Sequence, residues 1–213
     1  MKDVGQKQES VWSNMKQLYA LKPVYHNTLI LCAIWSTSSF SYYFVEFYTK
    51  FVPTTNIYLL NVIIGAADMI SSMIFYLCVS RMGIKLVLYV TFFILTISSL
   101  ALYLVIGITG FVDYEPGVTE ISTQLSLFFA GMVFLVRCFA SIGFIMAYYA
   151  NTALTPPALI SSVYALTNIT CRFLTTGAPL VSDIVANPSI VITVLAALTF
   201  VASIFIKENT RVL

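Results

Sequence analysis

Charge is what this chain has least of. Of its 213 residues, 9% are charged and 59% hydrophobic, and the mean hydropathy is +0.91, whereas a soluble domain carries about a quarter charged residues. So few charges cannot cover a water-facing surface. A net charge of +2 with no basic cluster excludes nucleic acid as a partner. Cysteine is sparse too: Cys32, Cys78, Cys138 and Cys171 all fall in apolar runs at no CxxC spacing. They read as small packing residues rather than a redox or zinc site. The single histidine, His26, stands at the border of an apolar run and reads as interfacial, and neither HExxH nor GxSxG occurs. Catalytic residues, metal ligands and cofactors are therefore not expected, and an enzyme is not the reading. The sequon Asn168-Ile169-Thr170 lies inside an apolar run, out of reach of glycosylation.

What is abundant is unbroken apolar sequence. Six runs, at about 26–48, 57–79, 86–109, 124–149, 158–181 and 189–206, approach or exceed the length at which a helix crosses the hydrocarbon core. The expected fold is all-α, a polytopic membrane protein whose six transmembrane helices occupy 26–213. Residues 1–25 form an N-terminal arm that starts too polar to be a cleavable signal peptide. In it Val11, Trp12, Met15, Leu18 and Tyr19 recur at helical spacing, with Ser13, Asn14, Lys16 and Gln17 between them. This predicts an amphipathic helix in the membrane interface, the alternative being a disordered tail with incidental apolar residues. Pro23 separates the arm from the first run.

The spread of charge predicts orientation. Lys2, Lys7, Lys16, Lys22, Arg81, Lys85, Lys207 and Arg211 fall on one side of a six-span arrangement, and Lys50 on the other with Asp113, Glu115, Glu120 and Asp183. The positive-inside rule makes the first side, with both termini, cytoplasmic or matrix-like. Which membrane this is stays open between an organellar inner membrane and the plasma membrane. The loop from Gly110 to Thr123 carries the turn signal Asp113-Tyr114-Glu115-Pro116-Gly117.

A few ionisable residues break the apolar runs: Glu46 in the first, Asp68 in the second, Arg137 in the fourth and Arg172 in the fifth. The third and sixth runs have none, so two triplets share one pattern, as in transporter halves built from three-helix repeats. A charge near the bilayer centre costs about 2.5–3.5 kcal/mol even on insertion scales, and so faces a partner, a bundle interior or a wet cavity. Helical spacing extends each into a polar stripe. The stripes are Trp35, Ser39, Tyr42 and Glu46; Asn61, Gly65, Asp68 and Ser72; Arg137, Ser141 and Tyr148; and Asn168, Arg172, Thr175 and Thr176. Tyr42, Tyr43, Asp68, Arg137, Asn168 and Arg172 are the candidate cavity-lining or substrate-binding residues. Two arginines against the one mid-depth acid, Asp68, lean toward a small organic anion. The alternative is a structural ion pair of Asp68 with Arg137 or Arg172.

Several segments resemble, in order, the second half of organic cation/anion transporters of the major facilitator superfamily. They are Trp35 to Tyr43, Ile57-Tyr58 followed by Gly65-Ala66-Ala67-Asp68, and the loop Ser80-Arg81-Met82-Gly83-Ile84-Lys85. Further on come Tyr149 to Pro156, Arg172 to Pro179, and Lys207-Glu208-Asn209-Thr210. The resemblance implies that Tyr42, Tyr43, Asp68 and Arg172 occupy cavity positions, with Arg172 matching the anion-carrying branch, and that Arg81, Gly83 and Lys85 belong to a cytoplasmic loop motif. The chain departs from the family pattern at Ser80 and Ile84 in the loop, at Ala153 and Ile160 where the gate residues stand in the family, and at Leu174 where the family has a glycine after the fifth-span arginine. It also reaches only half of a twelve-helix carrier. Two functions follow as expectations. One is an accessory or structural subunit of a larger membrane complex, derived from a carrier of small organic ions. The other is an active transporter working as a dimer or with a second six-helix half.

Overall fold

The structure, a computed structural model, describes residues 11–110, 121–185, 187 and 189–207, with side chains from Lys16 onward. The acidic loop residues Asp113, Glu115 and Glu120, the arm before Val11, the side chains of Val11, Trp12 and Met15, and the tail from Glu208 lie outside the described residues. The chain is all-helical, with no strand among those residues.

Among the described residues eight α-helices follow in order: α1 (Val11–Ala20), α2 (Lys22–Tyr48), α3 (Ile57–Arg81), α4 (Ile84–Thr109), α5 (Thr123–Leu154), α6 (Ile160–Thr175), α7 (Ala178–Ile184) and α8 (Ser189–Ile204). Local chemistry sets several of the boundaries. Pro23 sits in the first turn of α2, where its missing N–H costs nothing. The Asn56 side chain caps α3 by accepting from the Tyr58 and Leu59 amides, and Ser122 caps α5 through the Leu125 amide. Gly110 ends α4 in the left-handed region at φ 72°, which a side chain would resist.

α2 (extended by the 3-10 turn to Phe51), α3, α4 and α5 are long and apolar enough to cross a membrane. These four mark a membrane-embedded protein. The remaining two expected spans look different. The fifth run is broken into α6, 16 residues, and α7, 7 residues, and the sixth is the 16-residue α8. The break has a local cause. Pro179 can donate no backbone hydrogen bond, and the Gly177 amide turns back to the Leu174 carbonyl, three residues away.

The core is organised around α2, which packs on α5, α6, α7 and α8. Its central run from Ile34 to Ser41 is buried throughout, and five of those eight residues are Ser or Thr-sized hydroxyls (Ser36, Thr37, Ser38, Ser39, Ser41). Small side chains let helices approach closely in lipid. One close approach is at Gly143 of α5, where an added Cβ would stand 2.8 Å from Ser38 Oγ. α3 is the opposite case, packed chiefly against α5 and exposing most of its surface. The start of α2 is tied to the chain just after α8: Asn27 Nδ2 donates to the Lys207 carbonyl at 2.7 Å and the Lys207 amide donates to Asn27 Oδ1 at 3.0 Å. α1 rests on α2 and α6 with Leu18 buried and the Tyr19 ring 5.0 Å from that of Tyr25.

Candidate functional site

Two helices bring mid-depth charges to one point, and a third adds a charge from its last turn. α5 presents Arg137, whose side chain is 2% exposed. From α3, Asp68 receives it in a two-pronged pairing, Nε to Oδ1 at 2.9 Å and Nη2 to Oδ2 at 2.8 Å. The planar guanidinium matches a carboxylate in this way, where an ammonium makes a point contact. α2 closes the other side: Arg137 Nη1 donates to the Tyr42 carbonyl at 2.6 Å, and Nη2 also reaches Glu46 Oε1 at 3.1 Å. The Tyr42 ring lies under the guanidinium, 3.5 Å from its central carbon to the ring centroid, a cation-π contact worth about 2 kcal/mol when desolvated.

Asp68 is equally well held. Besides Arg137 it accepts from the Ser141 hydroxyl, one turn along α5, and from the Tyr42 hydroxyl at 3.3 Å. Its side chain is 33% exposed and that of Glu46 51%, so the cluster has a buried positive centre and a partly open negative rim. Its formal charge is −1, from one arginine and two acids. The sequence count set two arginines against Asp68 alone. With Glu46 reaching Arg137, the four buried-run charges sum to zero. Ser72, placed on the Asp68 stripe, turns its hydroxyl back to the Asp68 carbonyl instead of outward.

Arg172 stands apart from this cluster. It is exposed on α6, its Nε 3.4 Å from Asn168 Oδ1, and no described carboxylate pairs with it. Tyr164, Asn168 and Arg172 share one face of α6 along a shallow depression of about 610 Å³ whose walls come from that helix and its cap residue Thr176. This is an open face rather than a closed cavity. Thr175, further along, is drawn inward and bonds Ser39 of α2 at 3.0 Å.

Aromatic rings span the distance between the two arginines. Tyr42 stacks on Phe144 at 5.4 Å, Phe144 meets Tyr148 at 5.3 Å, and Tyr148 meets Tyr164 at 5.9 Å. Trp35 lies behind them, 4.5 Å from Tyr148 and 5.0 Å from Tyr164, buried rather than facing a lumen. Tyr43 is half-buried beside Tyr42, edge-on at 5.4 Å. Asn61 is exposed on α3. Arg81 is exposed at the end of α3, Gly83 precedes α4 as its cap, and Lys85 is half-buried in its first turn.

The sequence reading named the two tyrosines and three of the charges but not the role of Glu46 as a second acid on Arg137, nor Phe144 and Tyr164 as links of the ring series. Glu46 was visible at helical spacing from Tyr42. Phe144 and Tyr164 carried no signal to set them apart from lipid-facing aromatics. Chemically, the arrangement binds and holds charge. Among the described residues no group of three or more His, Cys, Asp or Glu comes together as a metal site. No protein-family model matches the chain, and no curated protein does.

Proposed function

We infer that the chain is a six-pass membrane unit, akin to half of a carrier for small organic ions, that serves as an accessory or structural subunit of a larger membrane complex. The observation that carries this reading is the state of Arg137. A cation meant to meet a substrate is kept available, yet here two carboxylates, a backbone carbonyl and a ring engage it within the chain. Such a cluster holds three helices in one arrangement, which suits a part that stays still.

Six passes are supported by where distant residues meet. Asn27 touches Lys207 at one end, and Lys50 pairs with Asp183 at the other, 2.6 Å apart. α6 and α7 then cross jointly, and α8 returns. Two three-helix repeats are supported by the packing. Exchanging α2 with α5, α3 with α6 and α4 with α8 turns the α2–α6 pair into α5–α3, and α4–α5 into α8–α2, all of which are packed pairs. α2–α5 and α4–α8 map onto themselves. An opposing protein surface is then required, because Asn61, Asn168 and Arg172 are not fully covered, and polar groups facing lipid are costly.

A second reading, an active carrier formed with another six-helix half, is favoured by Arg172, an exposed cation beside Asn168 at the end of an aromatic wall. It would take a small organic anion. The two readings separate on purified protein. Stoichiometric co-purifying membrane subunits and no uptake in liposomes are expected, whereas saturable uptake of organic anions by reconstituted chain, lost in Arg172→Leu, establishes the second.

A further inference from the structure

We propose that the open face of α6 is a docking seam for one transmembrane helix of another subunit, and that this helix brings an Asp or Glu at mid-depth to meet Arg172. The inference rests on the accessory-subunit reading and names the chemistry of the partner it requires. Arg172 stands twelve residues from Ile160, where α6 starts, and twelve from Ile184, where α7 ends, midway along their joint crossing. About 18 Å of helix thus separate it from either end. The headgroups lie about 15 Å from the bilayer centre, and a snorkelling arginine falls well short of that distance. A phospholipid phosphate is therefore not the counter-charge.

The side chain is set up to receive a carboxylate. Asn168 Oδ1 accepts from Arg172 Nε at 3.4 Å, which steadies the guanidinium along the helix face. Among the described residues neither Nη makes a hydrogen bond, and no ion pair includes Arg172. Its remaining donors form the fork that matches a carboxylate in two parallel bonds, as Arg137 already does with Asp68.

The surroundings fit a helix rather than lipid chains. Ser161, Ala165, Asn168, Arg172 and Thr176 recur at steps of three and four along the outward side of α6, Asn168 half-buried and the others exposed. That spacing makes a seam along which two helices pack, and small residues let their backbones approach. Ile169 and Phe173 flank the stripe as exposed apolar knobs. The exposed side of α3 instead carries Val62, Met69 and Met73, side chains suited to hydrocarbon.

A second copy of this chain is the poorer occupant. Its described carboxylates are engaged, Asp68 and Glu46 by Arg137 and Asp183 by Lys50. Depth disagrees as well. Thr175, one turn beyond Arg172, meets Ser39, and Glu46 lies seven residues further along α2, about 10 Å outward. Copies related by a two-fold axis along the bilayer normal keep their depths.

The test uses full-length Arg172→Lys protein in its own membrane, because an amine, unlike a guanidinium, couples to a carboxyl group activated by the membrane-permeant dicyclohexylcarbodiimide. An amide forms and the reagent leaves as its urea. Peptide mass spectrometry should find residue 172 joined to an Asp or Glu within an apolar run of another chain, with no such product from wild-type or Arg172→Leu protein. Arg172→Glu should lower recovery of that same subunit at least about tenfold. The thermal midpoint of the isolated chain should not move, since Arg172 makes no described bond to another helix. No amide in Arg172→Lys protein that keeps its subunits, an amide to Asp68 or Glu46 of a second copy, full recovery of the subunits with Arg172→Glu, or a bound organic anion lost in Arg172→Leu while every subunit stays would each overturn the proposal and leave the accessory-subunit reading standing. Wild-type protein that purifies with no other membrane subunit would overturn both.

Discussion

Replacing Asp68 with leucine tests the charged cluster most sharply, because Arg137 stays behind without its main counter-charge. Two charge-assisted bonds from Arg137 and those from Ser141 and Tyr42 disappear together. Removing one partner of a buried pair costs about 3–5 kcal/mol, mostly as the penalty on the stranded charge. Here the lower end applies, because Glu46 and the Tyr42 carbonyl still contact Arg137 and the Asp68 side chain is partly open. The expected loss is about 3 kcal/mol, and at about 2–4 °C per kcal/mol for a chain of this size the thermal midpoint falls by roughly 6–12 °C. Adding Arg137→Met should recover much of that loss, since an apolar pair of similar volume often replaces a buried ion pair at little cost. The assay is thermal unfolding of the single and double variants in one detergent. A shift within about 1 °C for Asp68→Leu, or a double variant as unstable as the sum of the singles, would refute the stranded-charge argument.

Three further outcomes follow from other contacts. Gly143→Val drives a branched side chain against Ser38 and toward Phe92 and should destabilise by about 1–3 kcal/mol in the same melt, whereas Gly131→Val, at a site with open space, should stay within about 0.5 kcal/mol. Asn27→Ala removes both bonds to Lys207 and should make the chain after Ile206 more sensitive to limited proteolysis while the rest of the bundle resists. Lys50→Ala should change stability by no more than about 1 kcal/mol, and less at high salt, because both partners of its pair with Asp183 are more than half exposed (52% and 58%).

The four long helices were legible because apolar length is a property of sequence alone, and the arrested charges Asp68 and Arg137 stood out against it. Their meeting was half legible. Helical spacing gave the faces on which Asp68, Arg137 and Ser141 lie, and a structural pair of Asp68 with Arg137 or Arg172 was one of two readings. That Arg137 takes the carboxylate while Arg172 stays on the open face depends on the rotation of α5 and α6 about their axes. No spacing within one helix encodes that. Glu46 stood on the polar stripe of the first run, but its pairing with Arg137 escaped for the same reason, since it reaches across from a different helix. The break in the fifth run was signalled by Gly177 and Pro179 but outweighed by the hydropathy around them.

The central claim is that the unit works only against another protein surface, and the mass of the extracted particle tests it most directly. Protein solubilised from its own membrane in mild detergent, with the detergent contribution subtracted, should run well above the 23.7 kDa of one chain and contain other membrane subunits at fixed stoichiometry. Arg172→Leu should weaken that association without lowering the melting point of the isolated bundle. A monodisperse single chain that catalyses uptake of an organic ion after reconstitution into liposomes would contradict the account.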